Sequence, residues 1–382
     1  MSAVVSEIYL DNNATTQPLP EVVETVASHL RETYGNPSSR HGLGRKARRV
    51  LEDSREQIAS LLGAAPQELV FTSGGTEANN LAVYGLTSGP AGTIATSPGE
   101  HPSNLEACRV RERQGWKRIS LPVDYSGLFD TSSSDWNGLS SNNVRLAAVI
   151  LAHNETGVIQ AIEPLVREAN LSHFAVHLDG VQAVGKLPIH FRELGAHTLS
   201  FGAHKFHGPR GIGGLLIRDG VKLSADFPVG GLQETGRRAG TESVALVAGM
   251  AKALELWHQS QAERTARVTS LRDRLQTQLE QRAAPTVVNG KDAPRLPNTL
   301  NISFPGVDGE ALLVALDLDG VCCSLGSACA SGSIEPTPIL VAMGLPPEVF
   351  KSALRITLSC LTAEAEVDEA ARRIAEIVQC LR

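Results

Sequence analysis

The stretch Leu199-Ser200-Phe201-Gly202-Ala203-His204-Lys205-Phe206-His207-Gly208, followed by Pro209, Arg210 and Gly211-Ile212-Gly213-Gly214, organises the reading of the whole chain. Apolar residues lead into His204-Lys205 and then into a run suited to turns and tight backbone passages, so Lys205 falls where a strand ends. A solvated lysine favours a helix face or an open loop. A lysine held between a strand end and a Gly-rich turn can lose water, which suits an amine nucleophile. Taken alone, the decapeptide is better read as carrying an ordinary lysine on a connecting loop.

A second signal upstream reverses that reading. His177-Leu178-Asp179-Gly180-Val181-Gln182 follows residues 174–178, a short apolar run expected to be a buried parallel strand. Asp179 then lies at the carboxyl end of that strand, where open α/β sheets bind ligands. An aspartate at one strand end and a lysine on a nearby strand meet the needs of pyridoxal 5′-phosphate. The amine holds the aldehyde, and the carboxylate keeps the pyridine nitrogen protonated so that the ring accepts electrons.

The 382 residues suggest about two domains on a prior of roughly 150 residues each. Apolar residues make up 42% of the chain, enough for a sizeable core, and the net charge of −6 argues against nucleic acid as the main partner. The N-terminus does not resemble a signal peptide and no apolar run reaches the roughly 18 residues of a membrane span, so a cytoplasmic protein without a membrane partner is expected. Six cysteines (Cys108, Cys322, Cys323, Cys329, Cys360 and Cys380) show neither paired nor framework spacing. They fit a reducing compartment. A metal or iron–sulfur site at Cys322, Cys323 and Cys329 is a poor reading, since no fourth ligand presents itself.

In chain order, a short strand at Ile8-Tyr9-Leu10 runs into the polar turn Asp11-Asn12-Asn13-Ala14-Thr15-Thr16. A helix after Pro18 and Pro20 places Val22, Val23, Val26 and Leu30 at helical spacing. A second amphipathic helix is expected over 43–62; its basic run 45–49 is read as a solvated face. Residues 68–72 read as a strand that Ser73-Gly74-Gly75-Thr76-Glu77 turns into a helix, whose N-terminus offers backbone N–H groups and the Thr76 hydroxyl to a phosphate. Strands near 93–96, 117–121, 144–152 and 174–178 alternate with helices. That rhythm predicts a mostly parallel sheet covered by helices on both faces. A glycine-rich loop, 230–241, opens a long helical region over 242–281. Short strands at 299–304, 321–324 and 354–358 suggest a second, smaller α/β domain. The expected division is 15–258 for the large domain and 1–14 plus 259–382 for the small one.

With these motifs in place, the chain resembles the pyridoxal-phosphate-dependent cysteine desulfurases of the NifS/IscS type, in the class V aminotransferase group of fold type I. The resemblance runs from Tyr9-Leu10-Asp11-Asn12-Asn13 through Gly35-Asn36-Pro37, the Gly-Gly-Thr-Glu turn, Glu100-His101, Asn154-Glu155-Thr156-Gly157, Asp179 with Gln182, His204-Lys205 and Gly240-Thr241 to Leu354-Arg355-Ile356-Thr357. It implies that Lys205 carries the cofactor, Asp179 partners the pyridine nitrogen, Gln182 bonds the ring hydroxyl and His101 stacks on the ring. It implies phosphate ligands at Gly75, Thr76 and His204. Thr241 would serve the neighbouring subunit's phosphate in a homodimer. Asn13, Asn154 and Arg355 would hold the carboxylate of L-cysteine.

Three positions depart from the family's pattern. Gly202 stands where the family usually has serine, which removes one hydroxyl from the phosphate site and predicts weaker cofactor retention. His153 replaces the more usual asparagine, and Thr235 a frequent basic residue.

Cys329 sits among small residues in Gly326-Ser327-Ala328-Cys329-Ala330-Ser331-Gly332-Ser333, surroundings that cannot bury it. The other cysteines read as small buried hydrophobes. The resemblance makes Cys329 the nucleophile that attacks the substrate sulfur, in the subgroup with a longer cysteine loop. Its persulfide would pass to a sulfur acceptor such as an iron–sulfur scaffold, or to another sulfur-transfer partner. Two alternatives stand beside this: a selenocysteine lyase or other class V aminotransferase or lyase that does not need Cys329, and a sulfur-relay or assembly scaffold with little turnover.

Overall fold

The computed structural model describes residues 7–140, 142–224, 230–325 and 337–382. Its centre is a seven-stranded sheet in the order Leu69–Thr72, Gly213–Ile217, Thr198–Gly202, Ala175–Asp179, Val144–Ile150, Thr93–Thr96, Lys117–Ser120. Neighbours from Thr198–Gly202 to Lys117–Ser120 run parallel, whereas Gly213–Ile217 is antiparallel to both strands beside it. The fold is therefore α/β with a mostly parallel sheet.

Side-chain alternation assigns the two faces. Val70, Leu215 and Ile217 pack with Ala78, Leu81 and Ala82 of helix Gly75–Leu86, and Leu146 and Ala148 pack with Ala107 and Cys108 of helix Pro102–Arg113. Phe71, Ala147, Val149, Leu178, Leu199 and Phe201 face the other way. They share a core with Leu51 and Ile58 of helix Gly42–Leu61 and with Val247, Met250 and Leu254 of helix Val244–Gln259.

A second core brings Ile8 and Leu10 together with residues from Val268 to Val378. Its sheet pairs Ala353–Thr357 antiparallel to Thr299–Ser303, which also pairs with Val287–Val288. Strand Ile8–Tyr9 runs parallel to Val321–Cys322. Helices Gln261–Arg282 and Glu364–Leu381 supply Leu271, Leu275, Leu279, Val367, Ile374 and Val378.

Two details differ from the sequence reading. The helical region expected over 242–281 is two helices that meet at Ser260, whose backbone leaves the helix at φ −123° and ψ 21°. There the Ser260 hydroxyl donates to the Leu256 carbonyl at 2.8 Å, a local bond that competes with helix continuation. The two halves bury against different cores. In helix Pro20–Glu32, Val22 is buried but Val23 and Leu30 are 54% and 64% exposed. This helix crosses Val244–Gln259 where Gly249 leaves room for Val26, so apolar periodicity there overstates the inward face.

The sheet also fixes a tight passage beside Gly74. A Cβ on Gly213 would come within 2.5 Å of the Phe201 carbonyl oxygen and 2.8 Å of Gly74 Cα, both backbone atoms that cannot rotate away. We predict that Gly213→Ala lowers stability by about 1–3 kcal/mol, read as a fall in the urea midpoint at unchanged slope.

Candidate active site

At the carboxyl ends of the parallel strands lies a cavity of about 440 Å³. Its wall takes Gly75, Thr76, Asn79, His101, Asn154, Asp179, Gln182, His204 and Lys205 from around the large sheet, and Asp11, Asn13, Ser324 and Arg355 from the side of the second core. Ten of the residues expected from the sequence to serve the site line this wall. Thr241 is exposed and does not line this cavity, and Cys329 lies outside the described residues.

Asp179 ends strand Ala175–Asp179 and is 5% exposed. One carboxylate oxygen accepts from the Val181 amide at 3.0 Å, the other from Asn79 Nδ2 at 2.7 Å. The same Asn79 nitrogen donates to Ser103 Oγ at 2.8 Å, and Ser103 Oγ lies 2.7 Å from His101 Nδ1. His101 caps helix Pro102–Arg113 by accepting from the Ser103 amide. Burial, aided by Lys205 and opposed by Asp179, lowers the pKa of His101. Behind Asn79, its Oδ1 receives Ser200 Oγ and His177 Nε2. His177 is fully buried and its pKa is pushed down to about 3 by that burial, so it is neutral.

Lys205 leaves strand Thr198–Gly202 by the turn Ala203–Lys205, and its ammonium donates to the Asn13 and Ala14 carbonyls at 2.6 and 2.8 Å. Gln182 Nε2 donates to the Asn13 carbonyl at 2.9 Å. The Asn13 side chain itself bonds the Asn154 carbonyl, Thr299, Asn298 and Lys186. Lys186, missed in the sequence, is buried against Asn13 Oδ1 and Gln182 Oε1, and burial drives its pKa well below the ordinary lysine value. Arg355 donates to Glu155 Oε1 at 2.9 Å and Asp11 Oδ1 at 2.8 Å, and Asn154 Nδ2 donates to the same Glu155 oxygen. Burial raises the pKa of Glu155 against the opposing pull of Arg355. Arg355 and Ser324, both at the cavity wall, also exchange two backbone hydrogen bonds.

At the opposite end, Gly75 and Thr76 open helix Gly75–Leu86. A Cβ on Gly75 would strike Val181 Cγ2 at 2.5 Å, so the helix start needs glycine to sit this close to the Asp179 turn. His204 faces Thr15 Oγ1 at 3.2 Å, its pKa lowered to about 4 by burial and by Lys205, Lys186 and Arg210. Gly202 is open: an added Cβ would meet the Gly75 nitrogen at 3.4 Å and His204 at 3.6 Å. His153 is buried, bonded to the Gly99 carbonyl, and pushed down to about 4 by burial. Thr235 has φ +56° next to Glu234, whose carboxylate is held by Arg55.

The donor set fits a planar aromatic phosphate ester with an aldehyde. A primary amine and a buried carboxylate share the cavity with an imidazole, and an anion cradle of helix N–H groups lies at one end. Asn79, Ser103 and Lys186 are parts of this arrangement that the sequence reading passed over, and Asp11 and Glu155 are parts that it quoted without giving them a role. Asn79 left one trace, an amide in a helix whose neighbours Ala78, Leu81 and Ala82 are buried and apolar.

The aminotransferase class-V family matches residues 8–370 of this chain. A cysteine desulfurase IscS of Dictyoglomus turgidum is 41% identical and covers 98% of this chain and 95% of its own length. A cysteine desulfurase of Trichormus azollae is 42% identical, covering 99% and 94%. Among solved structures, a NifS-like protein superposes with a TM-score of 0.89 at 34% identity, covering 98% of this chain and all of its own (100%).

Neutral burial of His177 has a measurable sign. The unfolded chain takes up a proton at His177 below about pH 6.5, whereas the folded chain resists it down to about pH 3. Stability from this group is therefore complete above pH 6.5 and declines as pH falls through that window. Replacing it by His177→Asn should flatten the pH dependence of urea stability between pH 6.5 and 4.5 by one proton, about 1.4 kcal/mol per pH unit.

Proposed function

This chain belongs to the aminotransferase class-V family and, within it, to the cysteine desulfurases, and on that premise we propose that it converts L-cysteine to L-alanine and carries the sulfur on Cys329. The observation that carries the reading is the joint placement of Lys205, Asp179 and Arg355 on one cavity, with Ser324 at its wall. Lys205 and Asp179 would hold pyridoxal 5′-phosphate, His101 would cover its ring face, Gln182 would reach its hydroxyl, and Gly75, Thr76 and His204 would hold its phosphate. What that group supplies when bound is an electron sink for the pair left behind at the substrate's Cα.

The protein's own residues do the rest. The substrate carboxylate pairs with the Arg355 guanidinium, which Asp11 and Glu155 hold in a fixed plane, and Asn154 and Asn13 sit beside it. Lys205, as a free amine, removes the Cα proton. The Cys329 thiolate attacks the substrate sulfur and forms an S–S bond as the C–S bond breaks, so that Cys329 gains one sulfur and the carbon skeleton leaves as alanine after taking up protons. The persulfide then passes to an acceptor thiol, of a scaffold protein or a small molecule. Exposure of Thr241, away from its own chain's cavity, supports a homodimer in which it reaches the partner's phosphate site. Among the described residues no helix is long and apolar enough to cross a membrane.

Two measurements test this reading. With L-cysteine and excess thiol, the wild type should release alanine and sulfide in equal amounts. Cys329→Ala at matched cofactor occupancy should release neither, while its cofactor absorbance still responds to cysteine. Full activity in that variant would remove Cys329 as the nucleophile and favour a lyase that does not need it. Gly202→Ser should slow cofactor release about fivefold, the effect of one added hydrogen bond worth roughly 1 kcal/mol, since an added Cβ there meets Gly75 N and His204 only at ordinary contact distances.

A further inference from the structure

We propose that Asn79 is the positioning residue of this site, one amide that holds the Asp179 carboxylate and the His101 ring in register with each other. An ionised carboxylate only accepts hydrogen bonds, so the Asn79 atom 2.7 Å from Asp179 must be the amide nitrogen, and this fixes the orientation of the whole group. The second proton of that nitrogen points to Ser103 Oγ at 2.8 Å. Having accepted there, the Ser103 hydroxyl donates to His101 Nδ1, which also takes the Ser103 amide. On the carbonyl side, Asn79 Oδ1 accepts from His177 Nε2 at 3.0 Å and from Ser200 Oγ. His177 Nδ1 in turn faces Thr198 Oγ1 at 2.9 Å.

Both donors and both acceptor positions of the Asn79 amide are thereby used. The partners come from three elements, helix Pro102–Arg113 through Ser103, strand Ala175–Asp179 through His177 and Asp179, and strand Thr198–Gly202 through Ser200, and they meet at Asn79 on helix Gly75–Leu86. His177 and Asp179 stand two residues apart on one strand and so face the same side, toward Asn79. Each of these groups is buried, and a network of this kind is stable only when all its members are satisfied.

Only an amide of this length suits the position. An aspartate would set one carboxylate against another, and an apolar side chain would leave Asp179, Ser200 and His177 short of partners. The ionisable groups that face the cluster are Asp179, His177, His101, Lys205 and the buried Glu100, on which Asp179 acts through space. Asn79 itself does not titrate. It therefore fixes where the Asp179 charge sits without exchanging protons with it. This inference rests on the cofactor assignment made above.

The test uses the full chain loaded with pyridoxal 5′-phosphate and compares wild type, Asn79→Asp and Ile374→Val. Ile374 lies in the second core, so that variant serves as a control for general destabilisation. Three quantities are read: the pH midpoint of the bound cofactor's visible band, the rate at which that band is lost on dilution, and the melting temperature of the cofactor-free protein. Asn79→Asp should move the midpoint by about half a pH unit or more, as expected for a second carboxylate beside Asp179. It should speed release about tenfold, a loss of roughly 1.4 kcal/mol in holding the ligand. Ile374→Val should lower the melting temperature and leave the other two quantities in place.

If Asn79→Asp fails to fold, Ser103→Ala cuts only the arm to His101 and should still speed release about threefold, roughly the effect of one weak hydrogen bond. An unmoved band and release rate in the variant that folds, or equal changes in the Ile374→Val control, would overturn the inference. A wild type that forms no visible band at saturating cofactor would overturn the cofactor assignment and this inference with it, which separates the two failures.

Discussion

Asn13 is the joint on which the site depends. Its amide donates to Thr357 Oγ1 and its side chain bonds Thr299, Asn298, Lys186 and the Asn154 carbonyl, while its own carbonyl takes Gln182 and Lys205. Thr299, Asn298 and Thr357 belong to the side of the second core; Asn154, Gln182, Lys186 and Lys205 belong to the side of the large sheet. One residue that is 1% exposed thus ties both walls of the cavity to the same point. A buried amide with so many partners tolerates little displacement, because moving either wall strands polar groups away from water.

The surroundings of the cavity obey a second constraint, the cost of burying charge. His153, His177 and His204 are all pushed to about 4 or below, chiefly by burial, so they stand in or around the site as neutral donors and acceptors. Glu100, fully enclosed, is raised by burial to about 7 although Ser97, Asn104 and the Ile150 amide all donate to it. Charge is retained where it has a partner. The Arg355 guanidinium has two carboxylates, and the buried Arg55 has Glu234 in a two-point pair that anchors the loop before Thr241.

The parts legible in sequence were those whose chemistry is local. Asp179 and Lys205 announce themselves because each sits at the end of an apolar run, and Gly75-Thr76 because a glycine pair opens a helix. The alternation of strands and helices revealed the parallel sheet. It did not reveal that Gly213–Ile217 runs antiparallel, because an apolar strand reads the same in either direction. The break at Ser260 was hidden because both helices continue a helical pattern, and only the change of core separates them. Asn79 and Lys186 were missed for a different reason. Their partners lie on other elements, and a polar residue on a buried helix face or after a strand declares no partner until the fold supplies one.

Strand Ile8–Tyr9 pairs with Val321–Cys322, and the Asn12 amide bonds the Thr357 carbonyl. These contacts join the start of the sequence to its last quarter, so they are among the least local in the molecule. On a ribosome, the large sheet can assemble while the second core still lacks most of its residues, and strand Ile8–Tyr9 must wait for its partner until residues 321–322 have been made. Because Asn13 follows closely on that strand and bonds Asn298, Thr299 and Thr357, the lysine-bearing wall gains its opposite wall only after residue 357 has been made. Any chain whose sheet folds before those residues are made therefore holds half a cavity.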